Sequence, residues 1–121
     1  MKTITFDITP VGKPRMVRSD IWSGRKCITE YYRFKDKLVL QARAKRYKIG
    51  STLNIVFQLP MTESWSKKKK KLMLGKPHTQ KPDNDNMLKA FQDCLTNNDS
   101  GIWKVSMEKR WGNTGKIIIK Q

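Results

Sequence analysis

The sequence predicts a single small α+β domain over residues 1–121, a mixed sheet with helices in the order β-α-β-α-α-β-β. Three observations predict it. Residues 2–9, 52–59 and 103–111 alternate apolar and polar positions with the period of a half-buried strand. The segments at 29–47 and 85–95 space their apolar residues three and four apart, as helices do. A chain of 14.2 kDa with 37% hydrophobic and 9% aromatic residues can build one modest core.

In the first strand Ile4, Phe6 and Ile8 share one face, and Thr3, Thr5, Asp7 and Thr9 the other. Residues 10–28 form a long loop with Pro10, Gly12, Pro14 and Gly24, five basic residues (Lys13, Arg15, Arg18, Arg25, Lys26) and Trp22. Loops of this length without structure of their own are usually functional. Thr29 is suited to cap a helix running to about Tyr47, with Tyr31, Phe34, Leu38 and Ala42 stacked on one side and Gly50 as its end. The next strand places Leu53, Ile55, Phe57 and Leu59 together and stops at Pro60. Ser64 or Ser66 can cap a short lysine-rich helix through Leu74, closed by Gly75 and Pro77. After the third helix, Trp103, Val105, Met107 and Trp111 alternate with Lys104, Ser106, Glu108 and Arg110. Gly112-Asn113-Thr114-Gly115 then signals a turn, and residues 116–120 complete a predicted C-terminal hairpin. No internal repeat is present.

Charge narrows the partners. The formal net charge is +16 with a pI near 10.2, which points to nucleic acid first and an anionic membrane surface second. No apolar run approaches the ~20 residues needed to span a bilayer, so no membrane role is expected. The N-terminus alternates rather than running apolar, unlike a signal peptide. Cys27 and Cys94 lack metal-ligand spacing, and a reduced, cytoplasmic setting is expected.

The acidic residues are clustered. Of only 10 Asp and Glu, four (Asp83, Asp85, Asp93 and Asp99) fall in QKPDNDNMLKAFQDCLTNNDSG. On a helical wheel Met87, Leu88, Phe91, Cys94 and Leu95 share the buried face. Asp85, Asn86, Lys89, Gln92 and Asp93 share the opposite one, and Asp83 stands just before the first turn. One account is structural: aspartates cap a helix and favour its dipole, and Asp85 with Lys89 is an ordinary i,i+4 pair. The other is chemical. Two or three convergent carboxylate oxygens are what Mg²⁺ asks of a protein when phosphate and water supply its remaining ligands.

KPDNDNMLKAFQDCL closely resembles the signature of the RusA family of Holliday junction resolvases, Asp-x-Asp-Asn followed by a helix carrying Lys and Asp. GKPRMVR after the first strand, Ser64-Trp65-Ser66 before the lysine run, and Asp99-Ser100 leading into a strand with Glu108-Lys109-Arg110 extend the resemblance over nearly the whole chain. It implies a homodimeric, metal-dependent endonuclease that nicks four-way DNA junctions, of a kind commonly encoded by phages and prophages. By the same resemblance Asp83, Asp85 and Asp99 are the metal-binding acids, with Mg²⁺ or Mn²⁺ as the ion, and Lys89 is the essential helix lysine. Two features depart from the family pattern: Asn98-Asp99 stands where paired acids are usual, and the link from Leu95 to Asp99 is shorter.

Geometry sets conditions on the cluster. Asp93 lies eight residues past Asp85, ~12 Å along a helix axis, too far to share an ion; pairing with Lys89 is its expected role. Asn86 is expected to support the ligands rather than coordinate. Four extended residues span at most ~14 Å, so Asp99 returns to the cluster only if the helix ends early or the strand runs straight back.

The basic residues supply the other half of the reading. Arg15, Arg18, Arg25, Lys13 and Lys26 of the loop are expected to grip phosphate, and Trp22 is equally suited to stack on a base or to plug the loop. Lys67, Lys68, Lys69, Lys70 and Lys71 would spread charge around a helix, so only some of them can touch DNA. His78, beside Pro77 in a loop, is expected at the surface; Trp65, Trp103 and Trp111 are expected in the core or a dimer contact. The competing functions are a non-catalytic basic nucleic-acid-binding protein and a nuclease with broader branched-DNA substrates.

Overall fold

The computed structural model describes residues 3–14, 26–96 and 99–121, the side chains of Cys27 and Asp99 excepted. Its elements are β1 (Thr3–Phe6), α1 (Lys26–Ala44), β2 (Thr52–Pro60), α2 (Lys67–Met73), α3 (Asn84–Leu95), a 3-10 turn (Asp99–Gly101), β3 (Lys104–Gly112) and β4 (Lys116–Lys120). The predicted α+β class and element order hold. Arg15, Arg18, Trp22 and Arg25 lie outside the described residues.

The four strands form one mixed sheet in the order β1-β4-β2-β3. β4 runs antiparallel to both β1 and β2, while β2 and β3 are parallel. The expected C-terminal hairpin is therefore not formed, because β2 lies between β3 and β4. Burial explains the choice. Ile117 and Ile119 of β4 are almost wholly buried, which an interior strand provides. β3 is mostly exposed until Trp111, as suits an edge. The turn signal at 112–115 instead carries the chain across the end of β2, where the Gln58 side-chain amide donates to the Thr114 carbonyl at 2.8 Å. Gly115 is required there: a Cβ would sit 2.4 Å from the Thr9 Cα.

The outer edge of β3 is covered by the chain leading to α3. Gly75 N–H donates to the Trp111 carbonyl (2.9 Å), Trp111 N–H to Lys76 (3.0 Å) and His78 N–H to Lys109 (3.0 Å). Pairing of this kind blunts an edge that would otherwise template another chain.

Helices α1 and α3 supply the second layer. α1 buries Tyr31, Phe34, Leu38 and Ala42, the predicted face. It starts earlier than Thr29 and stops before Gly50, because Arg46 takes the left-handed conformation (φ 54°) that ends a helix. Tyr47 N–H then bonds back to the Ala42 carbonyl at 2.9 Å, turning its ring into the core edge-on to Phe6. Burial pushes its phenol up to about 12. Gln41 clamps α1 to the end of β1, accepting from Asp7 N–H and donating to Asp7 C=O. Beneath α3, Met87, Ala90 and Phe91 are fully buried. Among the described residues no helix is long and apolar enough to cross a membrane.

Candidate active site

The acidic motif sits where three segments meet: the start of α3, the chain after β1 and the far half of β3. Asp83 occupies the N-cap position of α3, with extended backbone, yet its carboxylate makes no capping hydrogen bond. The helix-capping account thus leaves its oxygens unused. Asp85, Asn86 and Lys89 are exposed, on the side of α3 opposite Met87 and Phe91, as the wheel predicted. No ion pair joins Asp85 to Lys89 among the described residues. Two exposed carboxylates two residues apart, one at the N-cap and one in the first turn, are hard oxygen donors that fit a divalent cation whose other ligands are water and phosphate.

Asp93 differs from expectation. Its partner is Lys13, in a short ion pair, rather than Lys89. Lys13 is also tied by its backbone N–H to the Asn86 carbonyl at 3.1 Å. Gly12 allows this approach, since a Cβ there would already lie 3.3 Å from Pro82 and 3.5 Å from Asn86. Gly12 and Lys13 are thereby held against α3, with the Lys13 ammonium paired to Asp93.

α3 does not end early, so of the two conditions on Asp99 only the returning strand remains. β3 does run back, bringing Lys109 to the loop before α3. Asp99 precedes that return, in the 3-10 turn, and its side chain lies outside the described residues. No group of three potential metal ligands is assembled among the described residues.

The lysine helix α2 is capped by Ser66, whose hydroxyl accepts from Lys69 N–H at 3.1 Å. Lys67, Lys68 and Lys71 are exposed and Lys70 is half-buried. The Lys69 ammonium lies 4.2 Å from the Trp65 ring centroid. Lys26 is exposed at the start of α1, beside Glu30 at 3.7 Å. Trp111 is a core residue and Trp65 is half-buried against it, but Trp103 is 74% exposed.

Two residues near the site, neither of them among the expected site residues, take on roles here. His78 is not at the surface: it is 5% exposed, with its ring 4.1 Å from that of Trp111. Its Nδ1 accepts from Gln80 N–H at 3.3 Å. Lys109 donates to the carbonyls of Gln80 and Pro82. The signal for Lys109 was a gap in the strand pattern. Val105, Met107 and Trp111 continue one apolar row, and a lysine interrupts it.

His78 predicts a pH dependence. Burial first, and the nearby Lys109 charge second, hold its pKa below the ordinary value of 6.5. As pH falls through that value the unfolded chain takes up the proton before the folded one, so stability present above it is lost below. Thermal melts should therefore fall between pH 7 and pH 5, and His78→Gln should flatten that part of the profile. An unchanged profile in the variant would assign the acid sensitivity elsewhere.

The family model for endodeoxyribonuclease RusA matches residues 7–120, from the end of β1 to the end of β4. No curated protein matches the chain. With nearly its whole length matched, the chain belongs to the RusA family of endodeoxyribonucleases.

Proposed function

We propose that this protein is a divalent-metal-dependent resolvase that cuts four-way DNA junctions in pairs, as a homodimer, during recombination and repair in the cytoplasm of a bacterial or phage-infected cell. The observation that carries the reading is the exposed Asp83 at the N-cap of α3, with Asp85 and Lys89 exposed one turn apart on the helix, in a chain of this family. Asp83 and Asp85, joined by Asp99, would hold Mg²⁺, with Mn²⁺ as the alternative. An ion bound there would lower the pKa of a water and offset charge on the scissile phosphate. Lys89, free of an ion pair with Asp85, donates to a non-bridging phosphate oxygen or orients the attacking water. Asn86 orients the carboxylates, and Asp93 holds Lys13. Lys26, the exposed lysines of α2, and Arg15, Arg18 and Arg25 grip the phosphate backbone, which fixes position without reading sequence.

A junction offers two equivalent strands, and one chain offers one acidic cluster, so paired cutting calls for a two-fold dimer. Exposed apolar residues are available for its interface: Trp103 and Val105 near the start of β3, Tyr32 and Leu40 on α1. They must outweigh the repulsion of two chains at +16 each.

The test is a labelled four-way junction with Mg²⁺ beside matched linear duplex. Symmetric paired nicks in the junction alone, from a protein that sediments at twice 14.2 kDa, are expected. Binding without cutting would favour a non-catalytic nucleic-acid-binding protein, and equal cutting of every branched form a broader nuclease.

A further inference from the structure

We propose that Lys109 is a positioning residue that sets the Asp83 end of the metal site by gripping the backbone before it; this rests on the active-site reading above. The Lys109 side chain leaves β3 on the face that carries Met107 and Trp111, opposite Phe57 of β2 in the parallel register. An apolar residue there would simply continue the row. Instead the ammonium reaches across to two backbone carbonyls, at 2.6 Å from Gln80 and 2.9 Å from Pro82. Its own carbonyl accepts from His78 N–H at 3.0 Å, so both ends of Lys109 hold the same loop.

The position of the second carbonyl matters most. The Pro82 C=O belongs to the peptide plane that contains the Asp83 nitrogen, and that plane is rigid. Fixing the oxygen fixes where Asp83 enters the helix, and Asp83 has no capping bond of its own to do so. Hydrogen bonds from a charged donor are among the strong ones. With two carbonyls on one ammonium, Lys109 is turned toward the loop rather than offered to a phosphate. The residue thus acts through Asp83 and touches neither ion nor DNA.

The experiment compares Lys109→Met with the wild-type chain in three measurements. Calorimetric titration of Mg²⁺ into the protein without DNA should show affinity reduced by about 10- to 100-fold, the range for residues that orient a metal ligand. The Mg²⁺ concentration for half-maximal junction cleavage should rise in step, with the rate recovering at high Mg²⁺. Junction affinity in EDTA should stay within about twofold, as the ammonium is not spent on phosphate. Unchanged Mg²⁺ affinity in the folded variant would overturn the proposal. So would a fall in junction affinity with an unchanged metal requirement, which would make Lys109 a phosphate contact. If the methionine variant does not fold, Lys109→Gln, which keeps one donor, takes its place with the same shift expected; an unshifted affinity there also overturns the assignment. Asp85→Asn run alongside separates the two readings: a variant that still cuts removes the acidic site itself, whereas an inactive one beside an unshifted Lys109 variant removes only the role of Lys109.

Discussion

Asp85→Asn should abolish junction cleavage while leaving junction binding intact or tighter. The substitution removes one charge and almost no volume from an exposed position on α3, so folding should change by no more than about 0.5 kcal/mol. Chemistry should not survive it. An amide oxygen is a weaker ligand for a hard cation than a carboxylate, and an ion held as proposed would keep only Asp83 and Asp99. Loss of one such preorganised electrostatic contact costs about 10²–10³ in rate, and removal of a ligand should reach at least the upper end. Binding moves the other way, because a carboxylate that repels phosphate is gone. Band shifts in EDTA or Ca²⁺ and cleavage in Mg²⁺ would report the two effects separately. Wild-type cleavage by this variant would remove Asp85 from the active site.

Phe91→Ala should destabilise the fold by about 3–5 kcal/mol, the usual cost of emptying a fully buried aromatic site. Phe91 lies on the buried face of α3, with ring centroids 6.4 Å from both Phe6 and Tyr47. It therefore joins the helix that carries the acids to β1 and to the chain after α1. Domains of this size have about 5–15 kcal/mol in total, so the loss is a large fraction. A melting temperature lower by on the order of 10–20 °C is expected by circular dichroism. Cleavage should fall with it at warm temperatures and recover on cooling. A melting point within about 2 °C of wild type would mean that α3 is seated by other contacts.

Local signals in this sequence were legible. The alternation in β2, the Ser66 cap of α2 and the buried faces of α1 and α3 follow from neighbours a few residues apart, and the exposure of Asp85 and Lys89 on one side of α3 follows from helical period alone. Pairings across the chain were not legible. Lys13 finds Asp93 from 80 residues away, and nothing in either neighbourhood marks the other. A turn at Gly112–Gly115 announces that the chain reverses without saying which strand will occupy the space between. His78 follows a proline in a segment rich in polar residues, and its burial depends on Trp111 of β3 being brought beneath it. The clearest clue overlooked was negative: a lysine where the row of β3 called for an apolar residue.

The place of β4 in the sheet sets the order in which this chain can be finished during synthesis. β1 is made before the other described elements, yet its hydrogen-bonded neighbour is β4, which leaves the ribosome after all of them. Until residues 116–120 emerge, β1 has no strand beside it and one side of β2 stays open. The nascent protein therefore holds β1 and the three helices without a closed sheet to rest on. That open interval exposes apolar edges in a chain that already carries most of its positive charge. The sheet closes only when Ile117 and Ile119 of β4 take their buried places beside β1 and β2.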